Sequence, residues 1–84
     1  MEMLLFSAEY CRPCQALKAL LLKHNIPFVV IDTEEQPRLT SSYDIKALPT
    51  VIVADAASQE VLRIVGLKPI AEYVSASKLV AETL

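Results

Sequence analysis

The segment MLLFSAEYCRPC, residues 3–14, is the part of the sequence that decides the fold. It opens with four apolar residues, a run of strand length, and it ends in the motif Cys-Arg-Pro-Cys. Residues 15–24 carry leucines at helical spacing, so the cysteines lie where a strand passes into a helix. Pro13 agrees with this placement, because the first turn of a helix does not need the N–H that proline lacks. We therefore expect Cys11 and Cys14 to close and reopen a disulfide at the start of a helix.

A zinc ion is the main alternative occupant of a cysteine pair at this spacing. Structural zinc sites need four ligands, and besides the two cysteines only the single histidine, His24, is available. It lies about ten positions along the same helix, roughly 15 Å away at a rise of ~1.5 Å per residue. One ion cannot reach all three side chains, so no metal site within the chain is expected. His24 is interpreted instead as a favourable cation at a helix C-terminus.

Length and composition indicate one compact unit. A chain of 84 residues with 54% hydrophobic content is long enough for one core, so residues 1–84 are predicted to form a single domain.

The net charge of −2 argues against nucleic acid as a partner. The first residues lack the basic region and long apolar run of a signal peptide or membrane span, so we expect a cytoplasmic protein with no membrane partner. In a reducing compartment a cysteine pair is more often catalytic than structural.

The end of the first helix and the second strand are marked by turn residues. Asn25 suits a left-handed helix cap, and Pro27 forbids continuation of the helix. Residues 28–31 then form a near-continuous apolar run. Such a run is typical of a strand that is buried on both faces, and we expect it to lie parallel to the first strand.

The second half of the chain contains a short helix, two strands and a long helix. The short helix is predicted from Pro37 to about Tyr43, and the strands over residues 50–54 and 60–65. The polar loop between these strands is short enough for a hairpin, which makes them antiparallel. The last helix follows Pro69, and its predicted inner face consists of Ile70, Tyr73, Val74, Ser77, Val80 and Leu84. The predicted order is β-α-β-α-β-β-α, an α/β fold with a four-stranded mixed sheet covered by three helices.

These segments resemble the thioredoxins, shortened to the size of a glutaredoxin. FSAEYCRPC, residues 6–14, is similar to the thioredoxin active site, with an aromatic residue before the first cysteine and proline before the second. YDIKALPT, residues 43–50, is similar to the middle of the family, and Val65-Gly66 is similar to its third landmark. The extra amino-terminal strand and helix of full-length thioredoxins are missing, as in glutaredoxins. The resemblance covers nearly the whole chain and implies a minimal thioredoxin fold.

Three departures from the family pattern surround the predicted site. Leu5 stands where thioredoxins usually place a buried acid that helps move the proton of the second cysteine, and Ser7 replaces a bulky aromatic residue. GLKP, residues 66–69, lacks the Gly-Gly-Asp type of sequence with which glutaredoxins hold glutathione. It looks more like the Gly-Phe-Arg-Pro segment of the small redoxins that serve ribonucleotide reductase and draw electrons from thioredoxin reductase.

The resemblance also implies a role for each site residue. Cys11 is expected to be the nucleophile, because free N–H groups and the helix dipole favour a thiolate at a helix start. Cys14 is then the resolving thiol. The Leu48–Pro49 bond is expected to be cis and to face Cys11, which leaves the backbone of Leu48 free to pair with an extended substrate. The remaining residues expected to contact a substrate or docking partner are Tyr10, Arg12, Gly66 and Leu67.

The sequence therefore predicts a thiol–disulfide oxidoreductase that reduces protein disulfides and is re-reduced by a thioredoxin-reductase-type flavoprotein. Disulfide-containing proteins, ribonucleotide reductase among them, are the expected substrates. We expect a monomer with no bound cofactor, whose redox group is the Cys11–Cys14 disulfide. Two alternatives stay open. One is a glutaredoxin recycled by glutathione, against which residues 66–69 argue, and the other is a non-catalytic binding module that uses the fold as a scaffold or holds a metal between two chains.

Overall fold

The computed structural model describes residues 1–82, and over that range it has the predicted order of elements. The strands are β1 (Glu2–Ser7), β2 (Val29–Asp32), β3 (Thr50–Ala54) and β4 (Glu60–Val65). The helices are α1 (Arg12–Lys23), α2 (Pro37–Ser42) and α3 (Ile70–Glu82). The order and the mixed sheet are those of a minimal thioredoxin fold, so the predicted fold class is confirmed. Leu84, predicted on the inner face of α3, lies outside the described residues.

The sheet has the spatial order β2-β1-β3-β4. β1 pairs in parallel with β2 and antiparallel with β3, and β3 pairs antiparallel with β4. The turn between β3 and β4 is closed by the Asp55 carboxylate, which accepts hydrogen bonds from the N–H groups of Ala57 and Gln59, each at 2.9 Å. A side chain that caps its own turn in this way explains why a short polar segment forms the predicted hairpin.

Two apolar clusters cover the two faces of the sheet, because successive side chains of a strand point to opposite faces. The first is formed by Met3, Leu5, Leu17, Leu21, Ile26, Val51, Val53, Ile64, Tyr73 and Ala76. The second is formed by Leu4, Phe6, Ile31, Tyr43, Ile52 and Ala54. In the second, the rings of Phe6 and Tyr43 meet edge to face with centroids 5.6 Å apart. The predicted inward orientation of Leu39 and Tyr43 is confirmed by their contacts with this cluster.

The prediction that β2 is buried on both faces is wrong. β2 forms an edge of the sheet, and its first two residues, Val29 and Val30, are 44% and 42% exposed. The strand has a neighbour on one side only. On one face the six-residue helix α2 is about 9 Å long and cannot cover a strand of about 13 Å. An apolar run indicates a strand but does not distinguish a central position from an edge.

The sheet topology brings three loops together at one end of the strands. β1 ends there before Cys11, and antiparallel β3 begins there, since Phe6 pairs with Thr50. β4 in turn ends there, since Thr50 also pairs with Val65. The cysteine motif, the Pro49 segment and the Gly66 segment are therefore neighbours, although they lie far apart in the sequence.

Candidate active site

Cys11 is the N-cap of α1. Its backbone is extended, with φ −88° and ψ 103°, and its sulfur accepts a hydrogen bond from the N–H of Cys14 at 3.2 Å. Pro13 occupies the first turn, where no N–H is needed. A disulfide joins Cys11 and Cys14, whose Cα atoms are 5.3 Å apart. The motif thus places both sulfurs at the positive end of the helix dipole.

The two cysteines differ in exposure. Cys11 is 8% exposed, whereas Cys14 is completely buried. Together with Ala8 they form a small buried cluster, against which Leu48 packs. The carbonyl of Ala8 accepts hydrogen bonds from the N–H of Cys11 at 3.1 Å and from the side-chain amide of Gln15 at 3.3 Å, which fixes the turn before α1. A reactant that approaches from solvent therefore meets the sulfur of Cys11 first.

The segment before β3 forms the second wall of the site. The Leu48–Pro49 bond is cis, as predicted. Pro49 is fully buried, and the hydroxyl of Thr50 donates a hydrogen bond to the carbonyl of Ala47 at 2.6 Å. Within residues 1–82 the backbone N–H and carbonyl of Leu48 have no hydrogen-bond partner. The side chain of Leu48 therefore packs against the cluster that contains both cysteines, while its backbone remains available for pairing.

The segment after β4 forms the third wall. Gly66 has φ +80°, a left-handed conformation that favours glycine, and its N–H donates to the carbonyl of Pro49 at 2.8 Å. Leu67 follows and is 51% exposed. The buried hydroxyl of Tyr73 accepts a hydrogen bond from the N–H of Lys68 and donates one to the carbonyl of Gly66, each at 3.1 Å.

The sequence pattern does not predict the contact between Tyr73 and this loop, because that pattern places Tyr73 only on the apolar face of the last helix. The available signal was chemical: a buried tyrosine hydroxyl needs a hydrogen-bond partner. Burial is the main cause that raises the pKa of Tyr73 above its ordinary value. The phenol is therefore protonated at neutral pH and can donate and accept at the same time.

Two exposed residues border the cysteines. Tyr10 is 72% exposed and lies at the rim of a shallow depression, and Arg12 is exposed at the first position of α1. The depression is lined by Tyr10, Thr33, Thr40, Ile45, Lys46, Ala47 and Leu48. The fold therefore places six of the predicted site residues at the same end of the sheet as Cys11 and Cys14. They are Tyr10, Arg12, Leu48, Pro49, Gly66 and Leu67.

Among residues 1–81 no carboxylate is buried beneath the cysteines, and the buried polar or charged residues are Ser7 and Thr50. Leu5, at the position of the family's usual acid, is fully buried in the first apolar cluster. The hydroxyl of Ser7 is buried and has no hydrogen-bond partner in the described part of the chain.

The single histidine lies far from the cysteine pair. His24 lies at the C-terminal cap of α1, 13 positions after Cys11, which is about 20 Å along the helix at a rise of ~1.5 Å per residue. Over the described range no group of three or more His, Cys, Asp or Glu side chains is placed to hold a metal ion. None of the helices described is both long and apolar enough to span a bilayer.

The Thioredoxin family model matches residues 2–78 of the sequence. The chain belongs to the thioredoxin family. Thioredoxin C-3 of Corynebacterium nephridii is 38% identical over 65 residues, which cover 70% of this chain and 43% of that protein. The chain therefore spans less than half the length of that relative.

Solved structures agree with this assignment. A poplar thioredoxin h is 28% identical with a TM-score of 0.77, and the match covers 93% of this chain and 74% of that one. Thioredoxin 1 of Thermosipho africanus superposes with a TM-score of 0.74 over 99% of this chain and 97% of that one. Its identity is 24%, so this second likeness shows the fold alone. The resemblance inferred from residues 6–14, 43–50 and 65–66 is confirmed.

Proposed function

We propose that the protein is a thiol–disulfide oxidoreductase that reduces the disulfides of other proteins through Cys11 and Cys14. The observation that carries this proposal is the arrangement of the pair. The two cysteines lie on one helical turn and form a disulfide, with one sulfur at the N-cap and reachable and the other fully buried. Membership of the thioredoxin family and the packing of Leu48 against the cysteine cluster support the same chemistry.

The reaction proceeds in two exchange steps. In the reduced protein the thiolate of Cys11 attacks one sulfur of the substrate disulfide and forms a mixed disulfide with it. The substrate S–S bond breaks, and the other substrate sulfur leaves as a thiolate that takes up a proton from solvent. Cys14 then loses its proton and attacks the sulfur of Cys11. This step forms the Cys11–Cys14 disulfide, breaks the bond between Cys11 and the substrate, and releases the second substrate sulfur as a thiolate that takes up a proton. Two electrons pass from the protein to the substrate, and no cofactor is required.

The local charges favour the first step. The N–H of Cys14 and the N-terminus of α1 stabilise negative charge on the sulfur of Cys11, and the exposed guanidinium of Arg12 adds a positive charge at the next position. Because no carboxylate is buried in the described part of the chain, the proton of Cys14 passes to the leaving substrate thiolate or to solvent.

Substrate recognition is proposed to combine backbone pairing with apolar contact. The unpaired N–H and carbonyl of Leu48 suit an extended peptide that lies beside the sulfur of Cys11. Tyr10 and Leu67 add exposed apolar side chains on the neighbouring loops. An extended segment of a disulfide-containing protein, such as ribonucleotide reductase, fits these features.

The proposed electron donor is a thioredoxin-reductase-type flavoprotein. Glutathione is a small peptide whose amino group calls for an acidic side chain, and at the Gly66 loop the chain offers Leu67 and the cation Lys68 instead. A flavoprotein needs only a docking surface around Cys11. We also propose action as a monomer in the cytoplasm, because a reducing compartment keeps a dithiol in its active form.

The test is a coupled NADPH assay with insulin as the disulfide substrate. One arm contains thioredoxin reductase, and the other contains glutathione with glutathione reductase. We expect turnover in the first arm and a much lower rate in the second, with no activity for Cys11→Ser in either. Turnover confined to the glutathione arm would place the protein with the glutaredoxins. No turnover in either arm would favour a binding module, and metal analysis of the reduced protein would then test metal held between two chains.

A further inference from the structure

Tyr73 connects α3 to the loop that follows β4. Its ring is fully buried in the first apolar cluster, and its hydroxyl lies between two backbone groups of that loop. It accepts from the N–H of Lys68 and donates to the carbonyl of Gly66. One side chain therefore provides the hydrogen-bond partner for both backbone groups. Leu67 lies between these two residues, and its side chain is half exposed.

The same loop is tied to the rest of the site. The N–H of Gly66 donates to the carbonyl of Pro49 at 2.8 Å, and the N–H of Glu72 donates to the carbonyl of Pro69 at 3.1 Å. A continuous series of hydrogen bonds therefore runs from Tyr73 through Gly66 to Pro49, the residue that precedes β3 beside the cysteines. None of these hydrogen bonds involves Cys11 or Cys14.

We propose that Tyr73 is a positioning residue that holds residues 66–68 in the conformation that presents Leu67 to a disulfide-containing protein. This inference rests on the proposed function, because it assigns Tyr73 a part in binding protein substrates at the same site. Tyr73 does not touch the substrate or the reacting sulfurs. Loss of its hydroxyl therefore weakens the docking of a large substrate and leaves the exchange of sulfur atoms unchanged.

Tyr43 provides a matched control. It is also a buried tyrosine whose hydroxyl donates to a backbone carbonyl, that of Ser58, at 2.7 Å. Ser58 lies in the hairpin loop at the opposite end of β3 from Pro49, about 16 Å away for a strand of five residues. Tyr43→Phe removes a comparable hydrogen bond without affecting the loop beside the site.

The experiment compares Tyr73→Phe, Tyr43→Phe and the unaltered protein with two substrates. Insulin is the large disulfide, and dithionitrobenzoate is a small one that reaches Cys11 without contacting Leu67. We expect the KM for insulin to rise about threefold to tenfold in Tyr73→Phe only, as for the loss of one or two hydrogen bonds. The kcat for insulin and the rate with dithionitrobenzoate should not change in either variant.

A second variant, Leu67→Ala, tests the mechanism without altering the core. We expect it to raise the KM for insulin, and we expect Tyr73→Phe to add little to that effect in the double variant. The inference is overturned if the KM for insulin is unchanged in Tyr73→Phe or in Leu67→Ala, or if Tyr43→Phe shows the same increase as Tyr73→Phe. If the unaltered protein reduces neither substrate, the proposed function fails and this inference fails with it.

Discussion

The N–H of Cys14 points at the sulfur of Cys11, with 3.2 Å between the nitrogen and Sγ. The contact exists because Cys11 occupies the N-cap position of α1, where side chains accept hydrogen bonds from residues two or three positions ahead. In the reduced protein the same donor faces a thiol or thiolate. A hydrogen bond to the charged form of a group stabilises that form.

We accordingly expect Cys11 to be alkylated much faster than Cys14 near neutral pH. Its thiol pKa should lie below about 8.5, the value of free cysteine, whereas the buried sulfur of Cys14 is shielded from the reagent. The measurement is iodoacetamide labelling of the reduced protein as a function of pH, with mass mapping of the modified residue. Equal labelling rates at the two cysteines would remove the proposed activation of Cys11.

The two cysteines should also differ in trapping experiments. Cys14→Ser retains the attacking sulfur but cannot resolve the intermediate, so it should accumulate a mixed disulfide with substrate. Cys11→Ser should form none and should not reduce insulin. The adducts are detected by non-reducing electrophoresis and mass spectrometry. Insulin reduction by Cys11→Ser would show that the roles are assigned to the wrong residues.

Removal of the buried hydroxyl of Ser7 and removal of that of Thr50 should have different effects on the free energy of unfolding. Ser7 has no hydrogen-bond partner within residues 1–82, whereas Thr50 donates to the carbonyl of Ala47 at 2.6 Å. We expect Ser7→Ala to leave the free energy of unfolding unchanged or to raise it by up to about 1 kcal/mol, and Thr50→Val to lower it by about 1–3 kcal/mol. Urea denaturation measures both. A loss of more than about 1 kcal/mol in Ser7→Ala would mean that its hydroxyl is bonded.

The Glu60–Arg63 pair should add a small pH dependence to stability. Glu60 Oε1 and Arg63 Nη2 are 2.8 Å apart, and Arg63 also donates to the carbonyl of Tyr43. The hydrogen bond from Arg63 is the main cause that lowers the pKa of Glu60 in the folded protein. Since the folded value is the lower one, this stabilisation is complete above the unfolded value of about 4.3 and is lost as the pH falls through the folded value.

Glu60→Gln should therefore lower the free energy of unfolding near pH 7, by less than about 1 kcal/mol because the pair is partly exposed, and by less still near pH 3. Lys46→Gln serves as a control, because Lys46 lies 3.7 Å from Asp44 in a pair whose side chains are about 80% exposed. It should have no measurable effect at either pH. An equal loss for Glu60→Gln at both pH values would show that the carboxylate charge is not responsible.

Gly66 should be sensitive to substitution for conformational reasons alone. Its φ is +80°, and a Cβ added there would meet no atom within 4 Å. We expect Gly66→Ala to cost about 1–2 kcal/mol of unfolding free energy, the penalty of a left-handed conformation for an L-residue, and Gly66→Asn to cost less. Urea denaturation of the three proteins gives the order. Equal stability of Gly66→Ala and the unaltered protein would mean that this residue does not have a positive φ in solution.

Some features of the fold follow from local residue patterns, and others do not. β3 and β4 were predicted with their observed bounds, because each is an apolar or β-branched run beside a polar turn. The left-handed conformation of Asn25, at φ 55°, was also predicted from the residue type. The cis bond before Pro49 followed from the family resemblance and not from local preference. The burial of β2 was predicted wrongly, because the same run of apolar residues fits both an edge strand and a central strand.

The sequence by itself determined the features that depend on residues a few positions apart. The start of α1 at the cysteine motif, the hairpin between β3 and β4, and the left-handed residue after α1 all arise from capping, turn and spacing preferences within about five residues. The tertiary structure alone decided that the N–H of Gly66 donates to the carbonyl of Pro49 and that the hydroxyl of Tyr73 donates to the carbonyl of Gly66 in the loop containing Leu67. These features depend on which strands are neighbours and in what register. The pairing and register of the strands depend on burying both faces of the whole sheet at once, so no short segment of the sequence specifies them.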